Sequence, residues 1–334
     1  MKQRASTWLL LAGLFWPALS LAQSKAETTF TAFGRSSQAA VLGLAPEAAE
    51  KALQTAVAEI RVVEDLANPK SPAELSLGAL NRGSHPGAQR IDPRLLATLS
   101  RALQFCQWSD GTNGPLGGQL YALWGRYEAR LSNPSSGDVA TAVASAACDH
   151  LSLDERSSSA ALSESSLADL GDFAPGWAVD TALAKLQEAG GTSGWVRIGG
   201  VAHGFGPGPT GKGWQVEPPS IPSLSPALPV VWLRDEAYAA AAADDGEMRA
   251  GNEIWAPYLD QRKGQPSSGV LAVLVSADSA LDAQGLAATL FALGSRDGQR
   301  RLGALSPRPR VLWILGSGTG TPLLVEYFWS SRRR

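Results

Sequence analysis

The chain has 334 residues, with 29 Lys and Arg against 31 Asp and Glu and a formal net charge of −2. This balance offers no electrostatic handle for a polyanion, which excludes nucleic-acid binding by charge. Hydrophobic residues at 44% and charged residues at 18% exclude disorder throughout, and the 35 glycines and 21 prolines follow no period, which excludes collagen-like and simple repeat architectures.

Residues 1–22 read as a secretory signal. Lys2 and Arg4 form a basic start, Trp8 to Leu19 an apolar core, and Ser20-Leu21-Ala22 places small residues before a cut at Gln23. No later stretch reaches about 18 uninterrupted apolar residues, so the mature chain 23–334 is expected to be one exported, soluble, periplasmic domain without a transmembrane segment. Two cysteines, Cys106 and Cys148, cannot form a Cys-rich zinc site. An oxidising compartment can join them, or they can remain two buried thiols, and both alternatives stay open.

Along the chain, Thr28 to Phe33 alternates like a strand. Pro46 opens a long helix with Leu53, Val57 and Ile60 at helical spacing. Asp92-Pro93 starts a second helix that buries Leu95, Leu96, Leu99 and Leu103. Ser109 to Leu116 is a dense turn cluster, Leu120 to Trp124 is apolar, and Ala140 to Ala147 is a short helix. Arg156 to Ser166 is Ser-rich and expected to be exposed. Trp177 to Ala189 is helical and stopped by Gly190-Gly191. Trp195 to Ile198 is a buried strand ended by Gly199-Gly200. Gly204 to Gly213 reads as a hairpin, with Trp214-Gln215-Val216 as its returning strand. Val230 to Leu233, Val270 to Val275, Val311 to Leu315 and Leu323 to Phe328 are further strands, and Leu281 to Leu293 is a helix. Gly316 to Gly320 lacks the Lys-Ser/Thr of a phosphate loop and reads as a turn between strands. Helices and strands interleave without a βαβ rhythm, so the fold class is α+β.

Five stretches carry a family resemblance: Glu74-Leu75-Ser76 with Leu80-Asn81; Asp110 to Leu116 with Leu123-Trp124-Gly125; Asp169 to Asp180; Arg197-Ile198-Gly199-Gly200; and Ala287 to Gly294. Their order and spacing resemble the FAD:protein FMN transferase (ApbE-like) family, exported enzymes that move FMN from FAD to a Ser or Thr of a partner flavoprotein. The resemblance implies an ApbE-like fold of mixed and antiparallel sheets with packed helices. It also implies FAD contacts from Trp108, Ser109, Asp110, Asp169 and Tyr258, and an exported or membrane flavoprotein as acceptor.

Other positions depart from the family pattern. Pro257 stands where that pattern has the His expected to activate the accepting hydroxyl, and proline cannot accept a proton. His85, His150 and His203 lie in other segments. Gln284 and Ala288 occupy the Asp and Thr positions that would hold Mg²⁺, a hard cation that prefers anionic oxygen. Asp282 is rotated about 200° away on the same helix. Asp172 reads either as a compensating metal carboxylate or as an aspartate at a helix start. Ala239 to Ala242 lacks the hydroxyls of the family segment, and Val201 replaces an Asp after the paired glycines. These departures lead to an expectation of reduced or lost catalysis with residual flavin or partner binding, a possible pseudoenzyme state. The alternative is an active Mg²⁺-dependent transferase with a non-standard site.

Overall fold

Period-2 alternation in the apolar strands divides their side chains between two faces of one sheet. In the computed structural model, which describes residues 25–329 apart from 84–86, 247 and 319, this sheet has eight strands. They are β1 (Ala26–Ala32), β2 (Arg35–Leu42), β3 (Ser193–Ile198), β4 (Val201–Phe205), β5 (Glu236–Ala242), β6 (Val270–Ala277), β7 (Arg310–Leu315) and β8 (Leu323–Tyr327). Each pairs antiparallel with the next, so spatial order and chain order coincide. The signal sequence, His85 and Arg332 to Arg334 lie outside the described residues.

Among the described residues, α-helices α1 (Pro46–Ala67), α2 (Leu77–Arg82), α3 (Pro93–Trp108), α4 (Gly118–Leu123), α5 (Ser136–Ser145) and α6 (Ala174–Glu188) lie between β2 and β3. The seventh, α7 (Ala280–Leu302), links β6 to β7 and is interrupted at Gly294, whose φ is 74°. Val196, Ala239, Val273 and Trp313 share a core with α1, α6 and α7 on one sheet face. Trp195, Tyr238, Leu274 and Leu312 pack on the other face with Trp214, Val216 and Leu233. A smaller cluster joins Leu120, Tyr121 and Trp124 to Met248, Ala250 and Leu259. Among the described residues no helix is long and apolar enough to cross a membrane.

The α+β expectation holds, as do the helix starts at Pro46 and Asp92, whose side chain accepts from the Arg94 amide at 2.8 Å. Three local readings need correction. Trp214–Val216 pairs with Val231–Leu233, because the strand β4 already occupies the edge of β3 after the Gly199-Gly200 turn. Ser159–Leu162, inside the stretch expected to be exposed, is a strand paired with Leu151–Asp154, and it buries Ala160 and Leu162. Its small residues carry little hydrophobic signal. The strand β2 was absent from the sequence reading, yet it buries Ala39, Ala40, Val41 and Leu42 between β1 and β3. Cys106 and Cys148 form a disulfide, with Cα atoms 6.0 Å apart, that ties the end of α3 to the segment after α5.

Candidate active site

The site begins at the crossing of α6 and α7. Gly176 lets the two backbones approach, since a Cβ there would lie 2.4 Å from the Ala280 carbonyl oxygen. One turn further along α6, the Asp180 carboxylate accepts from the amides of Ala280 (2.8 Å) and Leu281 (3.0 Å), capping α7, and pairs with His203 Nδ1 at 2.7 Å. This fixes the direction in which α7 presents its next turn. Gln284 then bridges the junction. Its Oε1 accepts from the Gly176 amide at 2.7 Å, and its Nε2 donates to the Gly171 carbonyl at 3.2 Å.

The loop before α6 supplies a second wall. Asp169 is buried and fully engaged, accepting from the Gly171 amide at 2.8 Å and from the Tyr127 hydroxyl at 2.6 Å. Asp172, only 5% exposed, accepts from Tyr121 Oη at 2.6 Å and from Arg126 Nη2 at 2.9 Å. The Arg126 guanidinium lies over the Tyr121 ring, 4.0 Å from its centroid. Burial, reinforced by the Asp172 charge, pushes the Tyr121 hydroxyl well above its usual range, so it donates as a neutral group. Burial acts to lower Arg126, but its neighbours together, Asp172 foremost with Asp169 beside it, outweigh that effect and the guanidinium stays charged.

The third wall comes from β5 and the segment that follows it. Ala240 and Ala241 line the cleft together with Pro257, Tyr258, Val201 and Arg35. Tyr258 Oη and the Ala242 amide both donate to Asp245 Oδ2 at 2.8 Å. Burial raises the Asp245 carboxyl above its ordinary range despite these bonds. The space left between the three walls is about 30 Å³. That accommodates a water-sized guest, whereas organic ligand pockets run to several hundred Å³.

The structure therefore brings Asp172, Pro257, Tyr258, Gln284 and Ala288 to one cleft and places Asp169 directly behind it. It does not bring Trp108, Ser109 or Asp110 there. Ser109 is fully buried in its own turn, where its hydroxyl accepts from the Asn113 amide at 3.3 Å. Asp110 pairs with Arg301, which also donates to the Trp108 carbonyl at 2.8 Å. Trp108 itself lines separate hollows between α3 and α7. Asp282 pairs with Arg101 at 2.7 Å, outside the cleft, as the helical rotation requires. His203 serves Asp180, and His150 Nδ1 lies 3.3 Å from the Ser166 hydroxyl; neither lines the cleft.

Asp172 sits at the entry to α6, one residue before its cap position, and its carboxylate is turned to partners elsewhere. The residue before α6 is Phe173, with no side-chain cap, and both Asp172 oxygens are held by Tyr121 and Arg126. A divalent ion does not fit these residues. The Gln284 amide oxygen is taken by a backbone amide, Ala288 offers no ligand atom, and the Asp172 charge is already countered. The sequence reading missed Arg126, Tyr121, Arg35 and Asp245. The first two adjoin the quoted Leu123-Trp124-Gly125, but their partner lies 46 or more residues away and no spacing rule joins them.

The structure is an antiparallel meander interrupted by helices that carries this cleft at the α6–α7 crossing. The ApbE family profile matches residues 28–312, and the chain belongs to that family. A curated relative, the FAD:protein FMN transferase of Haemophilus influenzae, is 26% identical over 204 residues; the match spans 59% of this chain and 59% of the relative's length. Among solved structures, the flavin transferase ApbE from Vibrio cholerae superposes with a TM-score of 0.76 at 23% identity, covering 91% of this chain and 97% of that one. The ApbE protein from Thermotoga maritima gives a TM-score of 0.80 at 19% identity, again covering 91% and 97%. At these identities the structural likenesses establish the fold.

Proposed function

We propose that the chain is an exported ApbE-family protein in which FMN transfer from FAD to a Ser or Thr of a partner flavoprotein is reduced or lost, while flavin or partner binding persists. One observation carries this reading. Of the positions that depart from the family pattern in sequence, Pro257, Gln284, Ala288, Val201 and Ala240-Ala241 line one cleft of about 30 Å³, while Ala239 and Ala242 do not. The missing proton acceptor alone is worth about 10²–10⁴-fold in rate.

Incubating the mature protein with FAD and an acceptor domain, with and without Mg²⁺, and reading covalent flavin by in-gel fluorescence tests this. No labelled acceptor is expected. Mg²⁺-dependent labelling would overturn the reading. Titration with FAD alone is expected to quench tryptophan emission at micromolar or weaker affinity, and silence at millimolar FAD would leave only partner binding. Export rests on the first 22 residues, and the N-terminal sequence of protein recovered from the periplasm checks it.

A second reading, an active transferase with a non-standard base, is favoured by Asp245. This partly buried carboxyl lines the cleft with Tyr258 and Pro257, accepts from Tyr258 Oη, and is held above its ordinary range by burial. On that reading covalent labelling occurs and Asp245→Asn abolishes it.

A further inference from the structure

We propose that Arg126 is the resident cation of this cleft, a tethered guanidinium that takes the place of a divalent metal ion on Asp172. The inference rests on the family assignment of the cleft, and not on whether flavin still enters it.

Several independent features build this arrangement. Arg126 follows the Trp124-Gly125 turn that ends α4, where the Trp124 indole N–H donates to the Gly264 carbonyl at 2.8 Å and anchors the segment. The guanidinium then lies flat on Tyr121, an orientation in which one edge meets the Asp172 carboxylate. Tyr121 donates to the other carboxylate oxygen, so arginine and tyrosine together engage both. Gly171 makes room for the approach, because a Cβ at that position would stand 2.9 Å from Arg126 Nη2. The remaining wall is matched to a cation already in place. Gln284, a neutral amide, uses both of its polar atoms on the backbone of Gly171 and Gly176, and Ala288 is apolar.

The arrangement accounts for two oddities. A buried carboxylate next to an amide and an alanine would be an uncompensated charge if no cation sat beside it. And the space among these groups, about 30 Å³, is water-sized and bordered by the guanidinium itself. A fixed arginine is a permanent charge that no chelator removes. Arg126 Nη1 is buried without a protein partner, so the guanidinium keeps one donor in reserve for an oxygen atom beside it.

Mn²⁺ binding, read from the loss of the free-ion electron paramagnetic resonance signal with no flavin present, tests the proposal. Wild-type protein is expected to bind no Mn²⁺ in the cleft up to about millimolar metal. Gln284→Asp adds a second carboxylate beside Asp172 but leaves Arg126 in position. It is expected to bind Mn²⁺ at least tenfold more weakly than Gln284→Asp/Arg126→Ala, which exposes both carboxylates. Asp172→Asn in the double variant is expected to remove the gained site. Equal Mn²⁺ affinity with and without Arg126 would overturn the proposal, as would a wild-type site that Asp172→Asn abolishes. If circular dichroism shows the double variant unfolded, the Arg126-containing chains still decide: one tight, Asp172-dependent Mn²⁺ in Gln284→Asp refutes a cation already resident there. Because flavin is absent, failure of this test is separable from failure of the flavin-binding reading.

Discussion

The α6–α7 crossing and the cleft one helical turn away share the same two segments, but they are held together differently. At the crossing, Gly176 and Asp180 act on backbone: one removes a clash with Ala280, the other satisfies two N–H groups at the start of α7. Both roles depend on the particular residue present, and both residues match the family motif. In the cleft, Pro257, Val201 and Ala288 hold no side-chain hydrogen bond that the fold needs, and Gln284 replaces a charged group while still bridging backbone. The fold therefore holds without the side chains that the family pattern has at these positions. This is the physical content of the statement that fold does not imply function.

The comparison can be pressed hardest outside the cleft. The Cys106–Cys148 disulfide closes a loop across 42 positions and pins the buried turn at Ser109. In the chain-entropy model, Cys106→Ala/Cys148→Ala is expected to cost about 4 kcal/mol. Urea unfolding of the two proteins measures it. Free-thiol counting on unfolded, unreduced protein should find none.

Asp180→Ala is the next largest expected effect. It leaves the Ala280 and Leu281 amides and His203 without their acceptor, and charge-assisted bonds of this kind contribute about 1.5–3 kcal/mol. A loss of about 2–3 kcal/mol in chemical denaturation is expected, with exposure of the half-buried carboxylate limiting it. A loss below about 0.5 kcal/mol would remove the distinction between scaffold and cleft.

Asp245→Asn supplies the cleft counterpart and has the opposite character. Because burial raises the folded Asp245 pKa above the unfolded value of about 3.9, the folded state binds the proton more tightly. Its contribution is thus most favourable below the unfolded value, and it falls as pH rises through the raised folded value. Asn at this position keeps an acceptor for Tyr258 Oη and the Ala242 amide but carries no charge. At neutral pH the variant is expected to be as stable as wild type or more stable by up to about 1 kcal/mol. Melts between pH 3 and 7 should show that the falling component is absent from it. Asp260 shows the reverse sign: Arg262 and Lys263 outweigh its burial and lower its pKa, so its contribution is present above the unfolded value and lost on acidification.

How much of this was readable beforehand follows from the range of the interactions. The helix starts at Pro46 and Asp92 are local signals, and so are the apolar strands β3, β6 and β7. The pairing of Trp214–Val216 is not local. It depends on which edge remains free after β4 has paired with β3. In the site, helical geometry correctly separated Asp282 from Gln284, and family spacing aligned Pro257, Gln284 and Ala288 before their convergence was visible. The same spacing expects flavin contacts from Trp108, Ser109 and Asp110; in the folded turn Ser109 accepts from the Asn113 amide and Asp110 pairs with Arg301. Arg126 and Asp172 meet only through tertiary packing, so no sequence period could have announced them.

The smallest expected effect tests the rotation of α7. Asp282 and Gln284 are two residues apart, which on a helix turns the side chain by about 200°. Gln284 consequently faces Gly171 and Gly176, while Asp282 reaches Arg101 on α3. The Asp282–Arg101 pair is partly solvent-exposed on both sides, at 29% and 43%, so water and salt screen it. Asp282 also lies in the first turn of α7, where a carboxylate gains a little from the helix dipole. Together these contributions predict a loss of at most about 1 kcal/mol for Asp282→Ala, shrinking further at high salt. FAD titration by tryptophan quenching should be unchanged, because no atom of Asp282 lines the cleft. Gln284→Ala, by contrast, releases the Gly171 carbonyl and the Gly176 amide from their shared side chain and should disturb both stability and any flavin signal. If Asp282→Ala proved the more damaging of the two, the face that α7 turns to the cleft would be the wrong one, and the departures at Gln284 and Ala288 would no longer bear on the chemistry.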